Sequence, residues 1–378
     1  MNRLRIALVI PTMDGGGAEK QLSLLATGLP ADRFNVHVYL LTRGGVRLPS
    51  LRQSGVPVTI IGKRFQGDLT SLWRLRRHLR SFGPDIVHTW IFAANAFGRA
   101  ASLGLRRSDG RPVVIVGSER CVDPWKRSWQ LRIDRFLAKH SRAITTNSHG
   151  VVEFYRNHGI APEKFRVIAN GIEPPTANHQ RGRSDADRSE VAAAFGIDAD
   201  RHWIVSIGRL WPQKRYRDLI WAAELIGELR RDTTLIIVGD GPQRSELLRH
   251  RDAVTRDTRV RLVGHRTDAD RLLQHAAVYW NGSQYEGQSN SVLEAMRHGV
   301  PVVATDIAGN RDLIVDGQTG RLVKLGDTAD FARQTAILLA DANLATAMSS
   351  AAIARVAGEF SMDRMVAEHA ELYRQLCR

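Results

Sequence analysis

Residues 281–306 read NGSQYEGQSNSVLEAMRHGVPVVATD. A loop of small polar residues runs into a helical stretch. Gly299-Val300-Pro301 then turns the chain, and Val302-Val303-Ala304 reads as a buried strand. Two carboxylates stand eight positions apart, Glu286 in the loop and Glu294 roughly one turn into the helix. Between them Gly287, Gln288, Ser289 and Asn290 put backbone N–H groups at the helix start. Such an end carries about half a positive charge and unsatisfied donors, which suits a phosphate. The two acids are then placed to hold hydroxyls on either side of that anion. The ligand this pattern describes is a polyol, an anion and a second polyol in line.

Outward from this stretch the chain alternates strand-like and helix-like segments. Before it, apolar runs at 202–207, 235–238, 260–262 and 278–280 read as strands of one series that ends with 302–304. An earlier series has strands at 4–10, 35–41, 57–61, 85–88, 112–117, 143–146 and 165–168. Helices are expected at about 17–29, 69–81 and 93–103. Repeated βα units predict a parallel sheet covered on both faces. The fold class is therefore α/β, with two Rossmann-like, doubly wound domains. The break lies at 173–188, EPPTANHQRGRSDADR, which has two prolines and no hydrophobic pattern. The expected division is 1–172 plus 362–378, a linker over 173–200, and 201–361. Two such sheets are expected to face each other across a cleft at the C-terminal ends of their strands.

A chain of 378 residues with 43% apolar content supports two cores. Cys121 and Cys377 lie far apart, with no disulfide or metal spacing around them. The apolar N-terminal run ends at Pro11 and reads as a first strand rather than a leader, and no run reaches the roughly 20 apolar residues of a membrane span. A cytoplasmic protein, attached to a membrane at most peripherally, is expected. The net charge of +15 is uneven: residues 1–172 hold 27 Lys and Arg against 11 Asp and Glu, whereas the remainder is close to neutral. That asymmetry predicts an anionic partner for the first half.

Glu286, Glu294, Ser283, the Gly287 loop and the Gly299-Val300-Pro301 turn into a strand together resemble the Glu-x7-Glu segment of family 4 glycosyltransferases. These are retaining enzymes of the GT-B fold. The resemblance implies that Glu286 contacts the sugar of a nucleotide-diphosphate sugar donor and Glu294 the ribose, with Gln288, Ser289 and Asn290 against the phosphates. It implies that the last helix crosses back onto the first domain. It also implies front-side attack, in which the departing phosphate takes the acceptor proton. The pattern is most like transferases of surface-polysaccharide assembly, with a glycan or lipid-linked acceptor.

Further segments carry the same resemblance. Gly15-Gly16-Gly17 follows the first strand and opens a helix, without the G-x-G-x-x-G spacing of a nicotinamide site. In the family this loop faces the donor diphosphate and the acceptor. Residues 208–214, GRLWPQK, resemble the family's Gly-Arg-Leu-x-x-x-Lys, so Arg209 and Lys214 are expected to neutralise the departing diphosphate. The family usually has a small residue next, where this chain has Arg215. Gly241, in Gly239-Asp240-Gly241-Pro242, is expected in a close-approach turn, and His265 beside the nucleotide base. Asn170-Gly171-Ile172 resembles the hinge that ends the first domain. His88 ends a strand and reads either as a cleft residue or as a hydrogen-bonded structural histidine. Where many members carry an acceptor-side His, this chain has Gly117-Ser118-Glu119-Arg120, which makes Glu119 the nearest candidate base.

No metal site and no cofactor are expected. Asp185/Asp187, Asp198/Asp200 and Asp268/Asp270 are Asp-x-Asp triplets, but they fall in the linker, in a turn and at a helix start respectively. Two rivals remain. A nucleotide-sugar 2-epimerase shares the fold, though its usual acidic cluster is not apparent. A nucleic-acid binder is suggested by the charge, yet no RNP-type strand, zinc spacing or recognition helix is found. The anionic partner expected instead is a membrane surface. In helix 69–81, Leu72, Leu75 and Leu79 form a core stripe, while Trp73, Arg74, Arg77 and Arg80 lie off it. Trp125-Lys126-Arg127-Ser128-Trp129 is expected to extend that surface.

Overall fold

A computed structural model describes residues 3–65, 67–174, 184–255 and 259–378. The chain divides into two compact units, Met1–Gly171 with Ser361–Arg378, and Ile172–Phe360. Each is built on one wholly parallel sheet. In unit 1 the strands are β1 (Leu4–Ile10), β2 (Phe34–Leu40), β3 (Val58–Ile60), β4 (Ile86–Trp90), β5 (Val114–Glu119), β6 (Ala143–Thr146) and β7 (Phe165–Val167), in the order β3-β2-β1-β4-β5-β6-β7. In unit 2 they are β8 (His202–Ile207), β9 (Thr233–Val238), β10 (Val260–Gly264), β11 (Val278–Asn281), β12 (Val302–Thr305) and β13 (Arg321–Val323), in the order β10-β9-β8-β11-β12-β13. Each is the doubly wound α/β unit that the βα alternation predicts, and the pair fits the GT-B fold that the resemblance implies.

The strand order fixes where loops diverge. It reverses between β1 and β4 in unit 1 and between β8 and β11 in unit 2. Loops leaving such a pair run to opposite faces and open a crevice at the strand C-termini. In unit 2 they are the loops 208–215 and 282–289. In unit 1 the chain leaving β4 goes straight into a helix through Ile91, which sits at φ 59°. A β-branched residue in that left-handed region is strained by roughly 1–3 kcal/mol.

The last helix, Met362–Cys377, packs into unit 1, where Met365, Val366 and Tyr373 join Leu22, Leu25 and Trp90 in one core. A Cβ at Gly171 would lie 2.8 Å from the Cα of Met362, so only glycine lets the two backbones approach this closely. Tyr373 hydroxyl bonds His88 Nδ1 at 2.7 Å, and Thr145 Oγ1 bonds His88 Nε2 at 3.0 Å. His88 is completely buried. Of its two readings the structural one is therefore correct, because both ring nitrogens are taken within unit 1.

Two boundaries differ from the sequence reading. The linker expected over 173–200 contains a helix, Asp185–Phe195, capped by Ser184 and ended by Gly196 at φ 63°. Its Arg188 donates to the carbonyls of Ala199, Arg201 and His275 and stacks on Trp203 at 4.1 Å. Only Val191, Ala192 and Phe195 are buried, too few to leave a periodic signal. Residues 175–183 of that stretch lie outside the described residues. The edge strand β13 was not anticipated, and β5 runs on to Glu119.

Burial holds two imidazoles of unit 1 neutral, with the Arg120 charge adding to the effect. His88 is pushed well below its usual value and His369 down to about 3. An unfolded imidazole takes a proton near pH 6.5, whereas these do not. Stability is therefore full above about pH 7 and is lost as pH falls below 6.5. Between pH 7 and 5 each group is expected to cost on the order of 2 kcal/mol. Denaturant unfolding at the two pH values measures the loss, and His369→Gln should flatten the slope. Equal stability at both would contradict the assignment.

Candidate active site

The crevice of unit 2 is made by two loops that are fastened to each other. Lys214, at the end of the turn Pro212–Lys214 after β8, contacts Glu286 Oε1 through its Nζ. Ser283 Oγ donates to the same oxygen at 2.9 Å. Beside this pair, Gln213 Nε2 donates to Tyr285 O at 2.6 Å, and Gln284 N donates to Gln213 O at 2.8 Å. The adjacency of β8 and β11 makes these contacts possible. The family resemblance implied a role for both Lys214 and Glu286 but not that they pair.

The Glu286 loop is pinned from below. Thr305 Oγ1 at the end of β12 donates to Ser283 O at 2.5 Å, and Asn310 Nδ2 donates to Thr305 O at 2.8 Å. Asn281 Oδ1 accepts from Ser283 N at 3.3 Å. Asn281, Ser283, Thr305 and Asn310 are all buried. A Cβ at Gly309 would fall 1.7 Å from Gly287 O, so the segment after β12 rests directly on the loop backbone. Loop residues held this way keep one geometry with little motion to lose on binding.

Glu294 is the fifth residue of the helix Asn290–Arg297 and is half-buried. Ser289 stands at the N-cap but makes no side-chain cap, and its hydroxyl faces Ser291 Oγ at 3.1 Å. Gln288 and Ser289 are buried against the unit. Beneath both glutamates lies Tyr279, fully buried, whose hydroxyl lies 3.3 Å from both Ile207 N and Ile207 O. Burial raises its phenol far above the usual value, and the charges of Glu294 and Glu286 add to that. Tyr279, Thr305, Asn310 and Gln213 escaped the sequence reading, because nothing local marks a residue that acts through tertiary contact.

The remaining unit 2 residues are placed as follows. Arg209 is exposed, with its guanidinium carbon 5.7 Å from the Trp211 ring centroid. Arg215 adopts φ 49° and pairs with Asp218, so it points away from Lys214 and Glu286. That left-handed backbone explains why a small residue is usual there. Gly241 does sit in a close-approach turn. Its Cβ would lie 2.6 Å from Leu210 O, so the close approach is to the neighbouring loop of the same unit. His265 lies exposed just past β10.

In unit 1, Gly15, Gly16 and Gly17 follow β1, and Gly17 opens the helix Gly17–Gly28. Glu119 cannot serve as an acceptor-side base. It is 3% exposed, with Oε1 accepting from Asn95 at 2.9 Å and Oε2 from Tyr155 at 2.9 Å and Lys126 at 3.4 Å. Asp123 and Asp134 join the same Lys126, and Arg99 closes the cluster on Asp134 at 2.9 Å. Burial pushes the Asp123 and Asp134 carboxyls up, and the Glu119 charge adds to both.

Each Asp-x-Asp triplet is otherwise engaged. Asp187 holds His275 and Arg271, Asp198 accepts from the Asp200 backbone, and Asp270 holds Arg297 and His298. Asp268 occupies the expected N-cap position, yet its carboxylate is taken by both ends of Arg266 at 2.8 Å instead of by the helix. Among the described residues no three His, Cys, Asp or Glu side chains are grouped to hold a metal ion.

Comparison with known proteins turns this geometry into a family. The description "Glycosyltransferase Family 4" matches residues 15–175, and "Glycosyl transferases group 1" matches residues 201–341. The lipopolysaccharide core biosynthesis glycosyltransferase LpsE of Rhizobium meliloti is 30% identical over 350 residues, covering 90% of this chain and 95% of LpsE. The chain belongs to glycosyltransferase family 4. A second relative of this transferase is the UDP-Gal:alpha-D-GlcNAc-diphosphoundecaprenol alpha-1,3-galactosyltransferase of Escherichia coli. It is 26% identical over 357 residues, which are 91% of this chain and 90% of that one. The crystal structure of Anabaena HepE in complex with UDP and glucose superposes with a TM-score of 0.86 at 22% identity, covering 98% of this chain and all of HepE.

The glutamate pair of this transferase makes a two-part prediction. Glu286→Gln, nearly isosteric, should abolish transfer while nucleoside diphosphate affinity stays within a few-fold. Glu294→Ala should weaken nucleoside diphosphate binding by roughly 1.5–3 kcal/mol, the worth of a charge-assisted hydrogen bond. Steady-state kinetics and calorimetric titration separate the two. Wild-type turnover in the first variant, or unchanged affinity in the second, would remove the assigned role.

Proposed function

We propose that this transferase moves a sugar, with retention, from a nucleotide-diphosphate sugar held by unit 2 to a hydroxyl of a lipid-linked or polysaccharide-precursor glycan held by unit 1. The observation that carries the donor half is the Glu286 carboxylate, fixed by Ser283 and Lys214 eight positions before Glu294. Glu286 then meets sugar hydroxyls and Glu294 the ribose, with the start of the helix Asn290–Arg297 taking phosphate oxygens. Arg209 and Lys214 supply the positive charge that the leaving diphosphate needs, in place of a metal. Departing phosphate takes the acceptor proton, a role for which Glu119 has no spare oxygen. The E. coli relative's diphosphoundecaprenol acceptor supports the lipid-linked reading.

Arg209→Ala and Lys214→Ala should each lower kcat about 100-fold or more, with a smaller change in KM for the donor. Chelator should leave the wild type unaffected. A pure rise in KM, or inactivation reversed by Mg²⁺ or Mn²⁺, would contradict the cation-for-metal reading.

The lipid-linked acceptor is reached from an anionic membrane surface bound by unit 1. Among the described residues no single helix is long and apolar enough to cross a membrane. Helices Leu69–Phe82, Ile91–Ser102 and Ser128–His140 lie side by side on one face of the unit 1 sheet. Leu75 and Leu79 are buried, as the stripe predicts, whereas Trp73, Trp125 and Trp129 are 62%, 54% and 51% exposed. Arg77 lies over the Trp73 ring at 5.9 Å, and Arg80 and Arg127 are exposed. Two expected members drop out. Arg74 is spent on the carbonyls of Ile61 and Gly62, and Lys126 is buried in its acidic cluster. Each remaining basic residue near an anionic leaflet adds about 1 kcal/mol. In flotation with phosphatidylglycerol vesicles, binding should fall with salt and weaken in Arg77→Glu/Arg80→Glu. A variant that floats like the wild type would dismiss this face.

A further inference from the structure

On one face of the unit 1 sheet, beneath the last helix, several polar atoms have no partner. Trp90 and Ser118 are register neighbours, and Ser118 pairs with Thr145. One residue past the ends of β5 and β6 come Arg120 and Asn147; Arg120 lies over the Trp90 ring, and both donate to Asn170 Oδ1. Trp90 Nε1, Ser118 Oγ, Arg120 Nη1, Asn147 Oδ1 and, from the last helix, His369 Nε2 are all buried and unbonded. Five such atoms where β4, β5 and β6 end against the last helix call for an explanation, since buried polar groups are normally satisfied.

Arg120 sets the chemistry. It is 8% exposed, reaches Asn170 Oδ1 with one nitrogen and lies 4.8 Å over the Trp90 ring. Among the described residues it forms no ion pair, whereas the adjacent Glu119 is paired with Lys126 and bonded by Asn95 and Tyr155. A buried cation without a counter-charge is costly to keep, so an anion that completes it binds with large gain. The atoms around it sort by kind. Arg120, Trp90 and the Ser118 hydroxyl donate. Asn147 Oδ1 accepts, and so does His369 Nε2, because His369 Nδ1 gives its hydrogen to Met365 O at 2.8 Å. Donors beside a cation with acceptors at the flank fit an anion that carries hydroxyls.

We propose that this face of unit 1 is the acceptor site, and that Arg120 and Ser118 hold the phosphate of a phosphorylated sugar whose hydroxyls meet Asn147 and His369. The proposal rests on the transferase reading and narrows its acceptor to a glycosyl phosphate or diphosphate.

Titration calorimetry on the full chain tests it with a soluble short-chain glycosyl diphosphate, the matching methyl glycoside, inorganic pyrophosphate and a nucleoside diphosphate. Arg120→Gln should weaken the glycosyl diphosphate 10-fold or more and leave the nucleoside diphosphate unchanged. Arg120→Lys should recover part of the loss. The methyl glycoside should bind at least 10-fold more weakly than the diphosphate to the wild type only. Because the buried charge has no counter-charge, Arg120→Gln should unfold at the same or a higher denaturant concentration, which a structural arginine would not allow. The assignment is overturned by undiminished glycosyl diphosphate affinity in Arg120→Gln. It is also overturned by an equal loss for the nucleoside diphosphate, or by pyrophosphate binding as tightly as the glycosyl diphosphate. Failure of the wild type to transfer any sugar would instead defeat the transferase reading, and would leave these affinities to stand by themselves.

Discussion

A carboxylate on a loop keeps one orientation only if its oxygens are held, and in this transferase Glu286 is held by Lys214 and Ser283. That contact depends on the strand order. β8 and β11 are neighbours although two βα units separate them in the chain, so loops 74 residues apart at their starts meet side by side. Thr305 and Asn310 pin the loop from the end of the next strand, and Tyr279 bonds the end of β8 at Ile207. The ion pair has a second consequence. Lys214 has Glu286 as counter-charge, so neither is an unpaired charge in the crevice.

Unit 1 treats two neighbouring residues at the end of β5 differently. Glu119 points into a closed network in which Lys126 and Arg99 answer three carboxylates. Such a network fixes geometry at the expense of reactivity, since each member is committed. Arg120, one residue on, is left short of partners. The two neighbouring charges end in different surroundings, Glu119 among Lys126, Asn95 and Tyr155, and Arg120 beside Trp90 and Asn170.

Much of this was legible in the sequence where the signal is local. The loop, helix and strand of 281–306 lie where composition and periodicity put them; that the last helix joins unit 1 followed only from the family resemblance. The apolar stripe Leu72, Leu75 and Leu79 gave the buried side of its helix correctly. A helical wheel gives direction but not partners, and so it could not show that Arg74 is spent on the carbonyls of Ile61 and Gly62. It was equally blind to Lys126, whose aromatic neighbours suggested a surface while three acids from separate elements buried it. The helix Asp185–Phe195 was hidden for a related reason. It is anchored largely by one arginine, which reads as linker until Trp203 and the carbonyls it caps are in place. The partial satisfaction of Arg120 is likewise a property of the assembled sheet.

The central claim, that unit 2 of this family 4 glycosyltransferase takes the nucleotide of its donor, is tested most directly by equilibrium unfolding with a panel of nucleoside diphosphates. At about 100-fold over its dissociation constant, the diphosphate carrying the right base should stabilise the protein by ~2.7 kcal/mol, while the corresponding nucleoside should give far less. A panel of uridine, guanosine, adenosine and thymidine diphosphates that leaves the unfolding curve unmoved would contradict the account.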